Sequence, residues 1–143
     1  MMPSNKRVLF ICMHNSARSQ MAEGFLRALY GDRYEAHSAG VIISSINPHA
    51  VRVMAEAGID ISDQRSKSID EYRGSAFDYV VTVCDSAKAV CPLFPGARES
   101  LHADFEDPVM AEGTEDEVLS KFRRTRDDIR DWVVKRFGPS GRD

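Results

Sequence analysis

The stretch Arg7-Val8-Leu9-Phe10-Ile11-Cys12-Met13-His14-Asn15-Ser16-Ala17-Arg18-Ser19 decides the fold. Its first five residues are a nearly continuous apolar run, the pattern of a strand buried on both faces of a parallel sheet. Cys12 to Arg18 is polar and reads as a loop. From Ser19 the period changes. Met21, Ala22, Phe25, Leu26 and Leu29 recur at helical spacing, Glu23 and Arg27 lie on the other face, and Gly31 ends the helix.

The pattern continues along the chain. Tyr34 to Ser38 predicts a second strand, closed by Ala39-Gly40. Asn47-Pro48 is a helix start, a cap followed by proline at the first helical position, and the helix runs toward Gly58. Ser68 to Arg73 predicts a short helix, Asp78 to Val83 the clearest strand, Ser86 to Val90 a short helical piece, and Glu99 to Ala103 a last strand. Thr114 to Phe137 predicts a long amphipathic helix whose inner face is Val118, Phe122, Ile129, Trp132, Val133 and Phe137. Strands alternating with helices imply a single-domain, doubly wound α/β fold over residues 1–143, with a four-stranded parallel sheet and helices on both faces. Such sheets bind ligands at the carboxyl ends of their strands, and Cys12, Cys84 and Asp107 each follow a predicted strand.

Composition narrows the function. The chain has 143 residues, 43% hydrophobic and 29% charged, which fits one soluble domain. Its apolar runs are far too short to cross a bilayer, and the first residues show no signal-peptide pattern. A net charge of −3 argues against nucleic acid as partner. The basic cluster Lys121, Arg123, Arg124 and Arg126, interleaved with Asp127 and Asp128, reads as a solvated helix face. Three cysteines without a secretion signal point to free thiols in a reducing, cytoplasmic setting, where a disulfide is catalytic or redox-sensing.

Three constellations carry chemistry. In the first, Cys12 and Arg18 are separated by five residues. A loop of this length between a strand and a helix can turn its amides, from Met13, His14, Asn15, Ser16, Ala17, Arg18 and Ser19, toward one oxyanion. The helix start adds positive potential, which also favours a thiolate nucleophile at Cys12. Arg18 offers a planar fork of donors, Asn15 tolerates left-handed backbone, and the hydroxyls of Ser16 and Ser19 are candidate donors to the sulfur or the ligand. The second is Cys84-x6-Cys91. On a regular helix these two would lie on one face about 10 Å apart along the axis. A disulfide needs Cα atoms within about 7 Å, so bond formation would unwind such a helix. Spacing alone also fits two core cysteines, or, less well, a zinc site with His14. The third is Asp107-Pro108, where a carboxyl near the cradle can protonate a departing oxygen; Asp104 and Glu106 are nearby rivals.

Strand, Cys-x5-Arg-Ser and helix resemble the low-molecular-weight tyrosine phosphatase fold. The fuller run Cys12-Met13-His14-Asn15-Ser16-Ala17-Arg18-Ser19-Gln20-Met21-Ala22-Glu23-Gly24 is closer to the thioredoxin-coupled arsenate reductases that share it, and the resemblance spans Val8 to Phe137. It implies that Cys12 attacks arsenate, Cys84 attacks Cys12 with release of arsenite, and Cys91 attacks Cys84, leaving a disulfide for reduced thioredoxin. It implies Asp107 as the acid and a monomeric, cytoplasmic enzyme of arsenic detoxification, with weak phosphatase activity compatible. Some members hold potassium through positions matching Asn15, Glu23, Ser38 and an aspartate. Here Lys67 stands at the aspartate position, so Asn15, Glu23, Ser38 and Lys67 would support the loop, with no bound cofactor, no metal site and no potassium requirement. Ala17, Gln20, Val109 and Met110 replace a cysteine, a proline and two tyrosines usual in the phosphatases, and His14 stands where relatives often have glycine.

Overall fold

The computed structural model describes residues 5–83 and 94–139. Cys84, Cys91 and the helix expected at Ser86 to Val90 lie outside the described residues. Four strands, β1 (Lys6–Cys12), β2 (Tyr34–Gly40), β3 (Phe77–Thr82) and β4 (Ala97–His102), form one sheet in the order β2-β1-β3-β4. Every pairing is parallel. The chain winds outward from β1 in both directions, so the strand order reverses beside the end of β1, where Cys12 sits. That reversal opens a crevice at the carboxyl edge of the sheet.

Helix α1 (Arg18–Tyr30) follows β1, α2 (Pro48–Glu56) follows β2, and α3 (Glu115–Phe137) closes the fold. All three contribute to one core with Val8, Phe10, Val81 and Ala36 from one face of the sheet. Leu9, Ile11, Ala39, Phe77 and Val80 form a second core on the opposite face, packed under the 3-10 turn Ile69–Tyr72 and Phe94. Because β1 is central and covered on both sides, Val8 to Ile11 are fully buried, which is why its sequence is continuous rather than alternating. Phe137 ends α3 as an aromatic hub, with Tyr34, Tyr79, Trp132 and Phe10 edge-on around it.

Local signals fix the helix ends. The Asn47 side chain accepts from His49 N at 2.8 Å, ahead of Pro48. Thr114 and Glu117 form a reciprocal capping box at α3. The last strand begins two residues before its expected start and ends at His102.

Two expectations about helix faces need correction. On α1, Glu23 is buried and Leu29 is exposed. The first nine residues of α1 are buried on every side, because this half of the helix passes beneath the loops at the strand ends, while its last turn emerges into solvent. The basic cluster of α3 is also more than a solvated face. Arg123 grips the Glu56 carboxylate with two donors at 2.9 and 2.8 Å, and Arg126 donates to Val53 O at 2.8 Å and to Glu56 at 3.3 Å. These contacts fasten α2 to α3 at their exposed seam.

The pair holds Glu56 well below the usual carboxylate range, from 4.5 to about 2, chiefly through the Arg123 hydrogen bonds. A carboxylate whose folded-state value is depressed stabilises the fold above its unfolded value and loses that contribution as pH falls. Glu56→Gln is therefore expected to lower the melting temperature near neutrality and to flatten its acid decline between about pH 4.5 and 2. Thermal unfolding of both proteins across that range checks this; parallel acid limbs would refute it.

Candidate active site

Cys12 is the last residue of β1 and is buried. Asn15 N donates to its Sγ at 3.2 Å, and Ser19 Oγ lies 2.9 Å away. Of the two candidate hydroxyls, Ser19 is the one that reaches the sulfur among the described residues.

The loop is held from outside. Met13 O accepts from Val41 N and Ile42 N, both at 2.9 Å. His14 O accepts from Ser66 Oγ at 3.2 Å, Asn15 O from Gln20 Nε2 at 3.0 Å, and Ser16 O from Asn47 N at 2.9 Å. In a planar trans peptide the C=O and the next N–H point opposite ways. Four carbonyls drawn outward therefore turn the amides of His14, Asn15, Ser16 and Ala17 inward, as the Asn15 N–H to sulfur contact shows. Helix α1 begins at Arg18 with no side-chain cap on Ala17 and no acidic residue in its first turn among the described residues. Its first amides lack partners within the helix, and its positive dipole end lies at the loop that follows Cys12. Together these donors form a nest suited to a tetrahedral oxyanion seated on Cys12.

Arg18, the first residue of α1, is buried. Its guanidinium donates to Phe105 O at 3.1 Å and lies 3.4 Å from Asp107 Oδ2. The other carboxylate oxygen of Asp107 accepts from Val109 N, capping the 3-10 turn Pro108–Met110. Proline sets the turn, and the turn aims the carboxyl at the arginine. Of the rivals, Asp104 instead pairs with His102, and Glu106 is exposed. His14, where relatives often have glycine, is exposed.

Behind the nest lies a buried polar layer. Asn15 adopts φ 53° and is fully buried. Its Oδ1 accepts from Lys67 N and from Gln20 Nε2, both at 2.8 Å, and its Nδ2 donates to Ser19 Oγ at 2.7 Å. Glu23 accepts from Ser38 Oγ and Arg27, with Lys67 Nζ 3.6 Å from its Oε1. Lys67 thus meets Glu23 by its ammonium and Asn15 by its backbone. Burial pushes the Lys67 ammonium below its ordinary range, and Glu23 partly offsets that. The structure brings Asn15, Glu23, Ser38 and Lys67 together in this layer. Sequence reading missed Gln20 and Gln64 as members of this layer; the one available signal was a polar residue at position 20 beside the apolar stripe of α1.

Gly40 closes the cradle from beneath. A Cβ there would stand 2.9 Å from both Asn15 N and Met13 O. Gly40→Ala is expected to displace the loop and weaken inorganic phosphate binding by at least about tenfold, while the sheet persists. The readout is the phosphate-induced rise in melting temperature; an unchanged rise would show that the backbone approach at Gly40 does not shape the site.

The sequence profile described as "Low molecular weight phosphotyrosine protein phosphatase" matches residues 7–137. The arsenate reductase of Halalkalibacterium halodurans is 45% identical over 139 residues, covering 96% of this chain and 99% of the relative. That of Bacillus subtilis is 43% identical over 138 residues, with the same coverage of each chain. Among solved structures, an arsenate reductase in the phosphate-binding state superposes with a TM-score of 0.73 at 32% identity, over 91% of this chain and 95% of that one. A thioredoxin-dependent arsenate reductase of Corynebacterium glutamicum gives 0.63 at 31% identity, over 94% of this chain and 63% of that one. The chain belongs to the low-molecular-weight phosphotyrosine protein phosphatase family, on the side of its arsenate reductase relatives.

Proposed function

We propose that this protein reduces arsenate to arsenite through its three cysteines and is recycled by thioredoxin. The observation that carries the reading is a buried cysteine sulfur that accepts from the Asn15 amide, in a loop whose carbonyls are bonded to other segments, followed by Arg18 paired with Asp107. The names of the relatives support arsenate as the oxyanion, and the Corynebacterium relative supports thioredoxin as the electron donor.

The Cys12 thiolate forms a sulfur–arsenic bond, and one arsenate oxygen departs as water after protonation, the Asp107 carboxyl supplying a proton. Arg18 leaves its 3.4 Å pairing with Asp107 to hold two of the remaining oxygens. The Cys84 thiolate then attacks Cys12 sulfur. The sulfur–arsenic bonding pair goes to arsenic, which leaves as arsenite, two electrons reduced, with a Cys12–Cys84 disulfide formed. Cys91 attacks Cys84 and frees Cys12, and reduced thioredoxin takes the Cys84–Cys91 disulfide. Each thiol step is a displacement at sulfur, so each needs its attacking cysteine as thiolate. No metal and no bound cofactor enters. Phosphate fits the same nest, so slow hydrolysis of phosphate monoesters is a compatible side reaction.

The loop needs no potassium in this reading, because the Lys67 ammonium already stands beside Glu23 with Ser38 and Asn15 around it. The enzyme works as a monomer in the cytoplasm, where reduced thioredoxin is maintained. No described helix is long and apolar enough to cross a membrane.

The decisive experiment uses Cys91→Ser. The variant is expected to release one arsenite per protein in a single turnover and then stop, with thioredoxin present. Sustained turnover would overturn the cascade. Absence of arsenite from the reduced wild-type protein would overturn reduction itself. Turnover in potassium and sodium chloride at equal ionic strength is expected to agree; marked stimulation by potassium would refute the role given to Lys67.

A further inference from the structure

The buried layer behind Cys12 is directional, and its direction is set at the protein surface. A guanidinium can only donate hydrogen bonds. Arg27 Nη1 donates to Gln64 Oε1 at 3.2 Å, so the other end of that amide is the donor. Gln64 Nε2 donates to Gln20 Oε1 at 2.7 Å and to Gln20 O at 3.0 Å. Gln20 Nε2 donates to Asn15 Oδ1 at 2.8 Å, and Asn15 Nδ2 to Ser19 Oγ at 2.7 Å. Ser19 then has its single proton left for Cys12 Sγ, 2.9 Å away.

Backbone groups, whose roles are fixed, confirm the same polarity. Gln20 Nε2 also meets Asn15 O at 3.0 Å and Arg65 O at 2.9 Å, both acceptors. Asn15 Oδ1 also meets Lys67 N at 2.8 Å, a donor. Neither amide can be turned round without facing donor to donor or acceptor to acceptor. Gln20 is fully buried, and it grips both the carbonyl and the side chain of the one non-glycine residue described with left-handed backbone.

We propose that Gln20, oriented by Gln64, is a positioning residue that makes Ser19 a donor to the Cys12 sulfur and so favours the thiolate. It touches neither substrate nor sulfur. It acts by fixing the sense of a hydrogen-bond chain that runs Arg27, Gln64, Gln20, Asn15, Ser19, Cys12. Chains of this kind polarise along their length. Without the Gln20 amide, Asn15 loses the donor to its carbonyl and one of two donors to its side chain. Lys67 N then holds Asn15 Oδ1 alone, so the grip that aims Asn15 Nδ2 at Ser19 weakens and the Ser19 hydroxyl is presented less firmly to the sulfur. The role in turnover rests on the proposed arsenate reduction, whereas the effect on the sulfur does not.

The test compares wild type, Gln20→Met and Gln64→Leu by the rate at which iodoacetamide alkylates Cys12, followed by peptide mass spectrometry across pH. The peptides carrying Cys84 and Cys91 serve as references in the same sample. Gln20→Met is expected to slow Cys12 alkylation near neutrality by about tenfold, the scale of one charge-assisted hydrogen bond, and to move the profile toward alkaline pH. Gln64→Leu is expected to act in the same direction by about threefold. A purely structural role would lower the melting temperature and leave the profile in place. Wild-type profiles in both variants would overturn the proposal, and should Gln20→Met fail to fold, Gln64→Leu decides alone. If wild type releases no arsenite, arsenate reduction falls while the alkylation comparison still decides the role of Gln20.

Discussion

The structure depends on four peptide groups being held by their oxygens. The carbonyls of Met13, His14, Asn15 and Ser16 are bonded to the start of the 41–47 segment, to Ser66, to Gln20 and to Asn47. Peptide planarity then decides where the amides go. The direction of backbone amides cannot be steered by side-chain rotation, so it is inherited from whatever fixes the carbonyls. That task falls to Gln20 of α1 and to the loops after β2 and before the 3-10 turn at Ile69, and it explains why the buried polar residues Asn15, Ser19, Gln20, Glu23, Ser38 and Lys67 gather behind the loop.

Burying that polar layer is costly unless every group is matched. Among the described residues no buried side-chain nitrogen or oxygen lacks a partner. Glu23 would be an isolated buried charge without Arg27 and Lys67, and Lys67 would be one without Glu23. The pair is better regarded as a means of fixing loop geometry than as a source of net stability, because desolvating two ions consumes most of what their attraction returns. Holding Asn15 at φ 53° has a similar logic. A non-glycine residue enters left-handed backbone at a cost of order 1 kcal/mol or more, and it stays there because Gln20, Lys67 and Ser19 leave its side chain no other orientation.

Much of this was legible in the sequence, for definite reasons. Val8 to Ile11 is apolar at every position because β1 is covered on both faces, so the central strand announced itself. The jump from that run to helical period across Cys12 to Arg18 located the loop. Asn47-Pro48 and Thr114 with Glu117 located two helix starts through side-chain chemistry that needs no tertiary context. What failed were assignments of facing. Glu23 looked solvent-exposed because a single helical stripe was assumed to be buried, whereas the first half of α1 is enclosed all round. Arg123 and Arg126 looked solvated because their partner, Glu56, lies 67 and 70 residues away. Gln20 showed only as a polar residue beside an apolar stripe, and its meaning comes from Arg65 and Gln64 brought against it by the fold.

This division follows from what each kind of signal measures. Periodicity reports how a segment meets the average of its surroundings, so it finds strands, helices and the loop between them. A catalytic sulfur is decided by individual donors at about 3 Å, and those come from segments that are distant in the chain. Cys12 could be singled out because its nearest electrostatic support, the loop and the start of α1, is contiguous with it in sequence. The sense of the hydrogen bonds reaching it could not, because that sense is set by Arg27 through two glutamines and by the backbone of residues 65–67. On the proposed reading the loop after β1 receives the oxyanion, and the polar residues behind that loop set the hydrogen bonds that reach the sulfur.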